Sequence, residues 1–253
     1  MKLVFLGSGT AFTVGAHNYQ SNALLINDEN KKLMIDCGSD ARLALYEQSF
    51  TYRDITDIYI THLHGDHMGG LEWLGFTRKF DPDTDRPRLY ISELIIKELW
   101  EKSLSGSMES LEGQISHLDT YFDPRPIKEN DSFIWDGIEF NTVQTVHIMN
   151  GYTLAPCHGL FFRANQTQVY YTADAQFCPQ LLMHFYTQAD IIFHDCETAS
   201  RHSGVHAHFT ELVALPETIK NKMWLYHYNP GMLPNAKEHG FLGFVKKGQV
   251  FHF

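Results

Sequence analysis

Cysteine is scarce and unpaired in this chain: Cys37, Cys157, Cys178 and Cys196 lie far apart, with no Cys-x-x-Cys among them. That spacing argues against a disulfide framework and against a thiolate zinc site, and makes reduced, buried thiols the expectation. Long apolar runs are missing as well. No stretch reaches the roughly 18 residues needed to cross a bilayer, so no membrane partner is expected. The apolar part of Met1-Lys2-Leu3-Val4-Phe5-Leu6-Gly7 is too short for a secretion signal and reads as a first strand, which makes a cytoplasmic protein the expectation. Positive charge is in deficit, with 20 Lys and Arg against 30 Asp and Glu and a formal net charge of −10. No basic stripe offsets it. This disfavours broad nucleic-acid binding, which depends on clustered cations that neutralise phosphates.

What is present suits one enzyme domain spanning residues 1–253. At 43% apolar content the chain can bury a large core. Apolar and β-branched runs predict strands at 2–6, 22–27, 32–36, 57–61 and 88–91, with helices at 40–48, 69–79 and 92–104. A second half offers strands at 132–135, 138–146, 159–164, 168–173, 190–194, 222–226 and 249–253, with helices near 178–187 and 210–220. Asp136-Gly137 marks a hairpin. Gly106, Gly113, Pro124 and Pro126 make 105–131 the least regular stretch and the expected mobile loop. The alternation predicts an α/β sandwich of two β-sheets with helices on both outer faces.

Histidine is abundant, at 15 residues, and its densest cluster is the most informative feature of the chain. Thr61-His62-Leu63-His64-Gly65-Asp66-His67 ends the apolar run Ile58-Tyr59-Ile60. Three imidazoles and a carboxylate this close need a common partner if buried, and a divalent metal is the natural one. The competing reading, histidines scattered on a surface loop, fits the density poorly. Three further candidates close β-rich runs: His147 after Phe140–Val146, Asp174 after Val169–Ala173, and His227 after Met223–Tyr226. Alone each is an ordinary residue at a strand end; with the 62–67 cluster they supply what a two-metal site requires. His17, His117, His184, His239 and His252 receive no role.

This set resembles the metallo-β-lactamase superfamily over nearly the whole chain. Phe5-Leu6-Gly7-Ser8-Gly9-Thr10-Ala11-Phe12 and Asn18-Tyr19-Gln20-Ser21-Asn22 are similar to its phosphodiesterase branch, which contains the ribonuclease Z enzymes that process transfer-RNA 3′ ends. The resemblance implies the αββα fold of two mixed sheets flanked by helices. It further implies two Zn²⁺ ions per chain, with Mn²⁺ or another divalent ion as the alternative. One ion would sit on His62, His64 and His147, the second on Asp66, His67 and His227, and Asp174 between them. Asp66 would also orient the nucleophile.

Two more clusters resemble ribonuclease Z motifs: His194-Asp195-Cys196-Glu197-Thr198, ending an apolar strand, and Ser203-Gly204-Val205-His206-Ala207-His208-Phe209-Thr210-Glu211, preceding a helical pattern. By that resemblance Asp195 orients His208, which protonates the leaving alkoxide, with His206 the rival for the histidine role. Asp195 stands where the family usually has Glu. The ribonuclease Z enzymes carry a long basic arm between the third metal His and the bridging Asp; here the interval from His147 to Asp174 is too short for one.

Within the branch the nearest resemblance is to the anti-Pycsar proteins, phage-encoded and bacterial, carried by Gly7–Gly15, Asp195–Thr198, Ser203–His208 and Met223–Tyr228. It implies a homodimer that cleaves 3′,5′-cyclic mononucleotides to 5′-monophosphates, in the host cytoplasm if the chain is phage-encoded, and no stable nucleic-acid partner. The alternatives are a transfer-RNA processing nuclease and a non-catalytic protein that sequesters a nucleotide.

Overall fold

The computed structural model describes residues 1–15, 17–129 and 131–253. The first half of the chain supplies β1 (Lys2–Phe5), β2 (Ala23–Ile26), β3 (Lys32–Ile35), helix α1 (Ala41–Glu47), β4 (Asp57–Ile60), helices α2 (Gly65–Met68) and α3 (Leu71–Lys79), and β5 (Arg88–Ser92). Next come α4 (Glu93–Glu98), a π-helical turn at Leu99–Leu104, α5 (Ser105–Met108), the small hairpin β6 (Ser110–Leu111) and β7 (Gln114–Ile115), α6 (Leu118–Tyr121) and β8 (Asp123–Ile127). The second half supplies β9 (Ser132–Trp135), β10 (Ile138–Gln144), β11 (His158–Ala164), β12 (Thr167–Tyr171), α7 (Pro179–Gln188), β13 (Ile191–Asp195), α8 (Phe209–Leu212), α9 (Glu217–Lys220), β14 (Met223–Tyr226), β15 (Gly243–Phe244) and β16 (Val250–His252).

These strands form two mixed seven-stranded sheets, β16-β1-β2-β3-β4-β5-β8 and β15-β14-β13-β12-β11-β10-β9. β2 and β3 are buried along their whole length, as expected of strands covered on both faces. Between the sheets Phe5, Tyr59, Phe133, Phe140, Phe162, Tyr171, Phe193 and Tyr226 interdigitate. Phe133 stacks on both Tyr59 and Tyr90 across the gap, with ring centroids 5.4 and 4.6 Å apart. Outside the first sheet α1 and α3 cover Leu24, Met34, Ile58 and Leu89; outside the second α7, α8 and α9 cover Tyr170, Ile192 and Leu225. The result is the expected four-layer αββα sandwich.

Asp136 and Gly137 both take positive φ, 49° and 80°, which is the two-residue hairpin expected between β9 and β10. The 105–131 stretch, expected as a mobile loop, instead carries α5, the β6–β7 hairpin, α6 and β8. β8 adds to the open edge of the first sheet, parallel to β5. Pro124 and Pro126, two residues apart on it, share one side; a strand can carry prolines there because an edge leaves one row of N–H positions unpaired. Pro216 divides the expected helix at 210–220 into α8 and α9. No helix among the described residues is long and apolar enough to cross a membrane.

The C-terminal ends of β4, β12, β13 and β14 meet along one rim of the sandwich. β12, β13 and β14 run parallel in register, with Tyr171 beside Phe193 and Asp195 beside Tyr226, so the residues that follow them converge.

Candidate active site

The seven proposed ligands gather on that rim in two sets. His62, His64, His147 and Asp174 form one and Asp66, His67, Asp174 and His227 the other; within each set the donor atoms lie within 4.8 Å of one another, and Asp174 belongs to both. In the first set His64 Nδ1 lies 2.9 Å from His62 Nε2 and 3.1 Å from His147 Nε2. Asp174 Oδ2 is 3.8 Å from His62 Nε2 and 3.6 Å from His147 Nε2. In the second, Asp66 Oδ2 is 3.1 Å from His67 Nε2 and 3.2 Å from His227 Nε2, while Asp174 Oδ1 is 3.4 Å from His67 Nε2. His227 and Ala173, the residue before Asp174, hold φ of 60° and 56°, a left-handed backbone that non-glycine residues seldom adopt.

Hydrogen bonds behind the ligands fix which nitrogen faces inward. His147 Nδ1 donates to the Val205 carbonyl at 2.8 Å. His67 Nδ1 donates to Asp36 Oδ2 at 2.7 Å. His62 Nδ1 donates to Thr61 Oγ1 at 3.0 Å, and that hydroxyl donates in turn to Asp36 Oδ2 at 2.9 Å. With each Nδ1 engaged, the Nε2 atoms of His62, His67 and His147 point to the centre. Asp36 therefore supports one ligand of each set. Sequence reasoning missed it; the available signal was an acid closing the apolar run Leu33-Met34-Ile35, the same pattern that marked the other ligands.

The donor set fits divalent metal. His67 Nε2 and Asp174 Oδ1 are buried without a hydrogen bond, a costly condition that a coordinated cation removes. In the first set two acceptor nitrogens face His64 Nδ1, which has one proton at most to offer. Burial pushes His62, His64 and His147 below the usual histidine range, so they stand neutral. Burial acts the same way on His67 and His227, but Asp174 and its neighbouring carboxylates outweigh it; His67 is raised well above that range and His227 to about 10. Burial opposes ionisation of Asp66 and Asp174 too, yet His67 and His227 hold both carboxyls well below the carboxylate range. A dication would take the place of those balancing protons.

The expected pairing of Asp195 with His208 is not what the structure holds. Asp195 Oδ2 accepts from His206 Nδ1 at 2.8 Å and from the Ala175 N–H at 2.8 Å, and its other oxygen faces His227 Nδ1 at 3.3 Å. Burial disfavours a charged His206, but Asp195 overrides it and raises the imidazole above its ordinary range. His208 instead is the N-cap of α8. Its Nδ1 accepts from the Thr210 N–H, Glu211 accepts from its backbone N–H, its Nε2 donates to the Ala199 carbonyl, and its ring stacks on His202 with centroids 3.7 Å apart. The backbone explains the exchange. The 195–197 segment runs parallel to 206–208, with Glu197 N–H bonded to the Ala207 carbonyl, so His206 comes beside Asp195 while His208 starts the helix.

A cavity of about 450 Å³ opens onto both sets and His206, walled by Thr10, Phe12, Ile148, Glu197, Ser203 and Asn229. A larger groove of about 690 Å³ between Trp224, Pro234 and Phe244 holds none of these groups.

Architecture and site together define a metallo-β-lactamase-fold protein. The fold is shared with the metallo-β-lactamase fold protein YhfI of Bacillus subtilis, at a TM-score of 0.76 and 17% identity over 99% of each chain. It is shared as well with the short form of human tRNase Z, at 0.73 and 15% identity over 100% of this chain and 99% of that one. Residues 1–251 match the family model of the anti-Pycsar protein Apyc1, and the chain belongs to that family. It is 34% identical to the anti-Pycsar protein Apyc1 of Paenibacillus sp. (strain J14), over 99% of this chain and 98% of that protein. To the one of Bacillus phage vB_BveM-Goe7 it is 31% identical, over 98% and 96%.

Proposed function

We propose that this protein is a metal-dependent phosphodiesterase that hydrolyses the 3′,5′-cyclic mononucleotides cyclic CMP, UMP, AMP and GMP to 5′-monophosphates, and thereby removes the signal of a cyclic-nucleotide antiphage defence. The observation that carries this reading is the convergence, in one 450 Å³ cavity, of two ligand sets sharing Asp174 and of a histidine held by Asp195. Divalent ions bound there, zinc from the imidazole-rich donors or manganese in its place, would supply an activated water and neutralise phosphate oxygens.

The chain's own groups supply the rest. Asp195 fixes His206 with its proton on Nδ1 and stabilises the imidazolium, which leaves the Nε2 proton for the departing 3′-oxygen. His206, rather than His208, is assigned that role. Asp36, Thr61 and Val205 hold the ligand imidazoles in orientation. Phe12, 80% exposed, lines the cavity and offers an apolar face on which a base can stack.

A small substrate is supported by what fills the interval from His147 to Asp174: a loop closed by the Met149–Leu154 bridge, then β11 and β12, with no residues left for a nucleic-acid-gripping arm. The net charge of −10 points the same way. The relatives named anti-Pycsar proteins lend the defence-evading role, and action as a homodimer in the cytoplasm belongs to the same reading. The test is competition: the four cyclic nucleotides and a precursor transfer RNA are incubated together and the products separated. Consumption of the cyclic nucleotides with the RNA spared is expected. Processed RNA beside intact cyclic nucleotides would overturn the proposal in favour of a transfer-RNA nuclease, and binding without product would favour sequestration.

A further inference from the structure

Glu197 is the one acid in the cavity wall that the chemistry above does not use. It is 5% exposed, and its backbone is clamped on both sides, the N–H by the Ala207 carbonyl and the carbonyl by the Phe209 N–H. Of its two carboxylate oxygens, Oε2 accepts from the Ser203 N–H at 2.9 Å, while Oε1 has no hydrogen-bond partner among the described residues. That oxygen belongs to a residue lining the cavity and is left to accept from a ligand there. The direction of the side chain follows from the backbone. Glu197 lies two residues beyond Asp195 on an extended segment, so the two side chains leave on the same side. Asp195 reaches the His206 imidazole, and Glu197 lines the same cavity a short step further along.

We infer that Glu197 is a specificity residue that accepts a hydrogen bond from the ribose 2′-hydroxyl of a cyclic nucleotide; the inference rests on the function proposed above. A carboxylate only accepts, and it repels the phosphate, so its partner is a donor elsewhere on the ligand. In a 3′,5′-cyclic nucleotide both other sugar oxygens outside the ring are esterified, which leaves the 2′-hydroxyl as the sugar's single donor. It sits on the carbon next to the one bearing the 3′-oxygen, the atom His206 is placed to protonate, so a group just past His206 meets it. Base amines are less suited, because uracil has none while every ribonucleotide carries the 2′-hydroxyl. An acidic side chain reading a ribose hydroxyl is a recognised use of this chemistry in nucleotide-binding folds.

The experiment compares kcat/KM for 3′,5′-cyclic AMP and its 2′-deoxy analogue in the metal-loaded protein and in Glu197→Ala and Glu197→Gln. The wild type is expected to prefer the ribonucleotide by about tenfold to a hundredfold, the worth of a hydrogen bond to a charged group. Glu197→Ala should bring the ratio close to unity by slowing the ribonucleotide alone. Taking the ratio within each variant cancels general damage from a loosened Ser203 contact, and Glu197→Gln, which can still accept from the Ser203 N–H, should lower the ratio without moving the loop. Equal turnover of the two substrates by the wild type, or a preference unchanged in both variants, would overturn the assignment while leaving the proposed function standing. Absence of turnover on both substrates would overturn that function and this inference with it.

Discussion

Replacing His206 and His208 separately by alanine distinguishes a proton donor from a helix cap two residues away. His206→Ala removes the imidazole bonded to Asp195 Oδ2, a side chain that makes no hydrogen bond to the residues of the two donor sets. Metal content should hold, and kcat should fall by roughly 10²–10⁴, or about 3–5 kcal/mol of barrier. His208→Ala should do the reverse. It removes the side-chain cap of α8 and the contact to Ala199, worth about 1 kcal/mol of stability and roughly 2–4 °C in Tm for a chain of this size, with kcat little changed. Elemental analysis, thermal unfolding and steady-state kinetics on a cyclic nucleotide read the three quantities. A pH profile adds a sign. His206 donates when protonated, so activity is lost as pH rises through its pKa; Asp195 raises that pKa, so Asp195→Asn should move the alkaline limb to lower pH. If His208→Ala abolishes turnover with metals retained, and His206→Ala does not, the assignment of the proton donor is refuted.

The wild-type chain should hold about two transition-metal ions by elemental analysis, given its two donor sets. A stoichiometry near one that added metal does not raise, with full activity, would count against a two-ion centre. Asp174→Ala should lower the occupancy of both sets and His147→Ala chiefly that of one, which metal titration of the purified variants reads out. Asp36→Asn leaves every ligand in place but weakens the support of His62 and His67, so it should reduce metal affinity about 10–100-fold in competition with a chelator; unchanged affinity would place the orientation of those rings elsewhere.

Apart from β8, the strands of the first sheet were legible because their apolar runs are short and bounded by polar turns. The cluster at 62–67 stood out because its density has few other uses, and folding brings its three histidines and Asp66 together with His147, Asp174 and His227. Local pattern failed where the deciding partner is remote. β8 carries two prolines, and only its place at the sheet edge beside β5 makes it a strand. Asp36 looks like any acid after a strand until folding sets it behind His67 and Thr61, 31 and 25 residues away. His206 and His208 are indistinguishable as letters. Their roles separate when Glu197 pairs with Ala207 and when Thr210 and Glu211 recruit His208 as a cap.

The closing strand, β16, pairs antiparallel with β1, and the Phe253 N–H reaches the Met1 carbonyl at 3.0 Å. Synthesis from N- to C-terminus therefore makes β1 early and its neighbour β16 long after it. Until residues 250–252 leave the ribosome, β1 presents an unpaired border to the cell, open to strands of other chains. The site waits on an earlier segment, since His227 follows β14 and is anchored through its N–H to the Ser8 carbonyl just beyond β1. A nascent chain stalled short of β14 thus lacks His227 and with it part of the second donor set, and one stalled short of β16 has both donor sets but an unfinished sheet. Met1 and Phe253 lie side by side at the far end of β1 from Ser8.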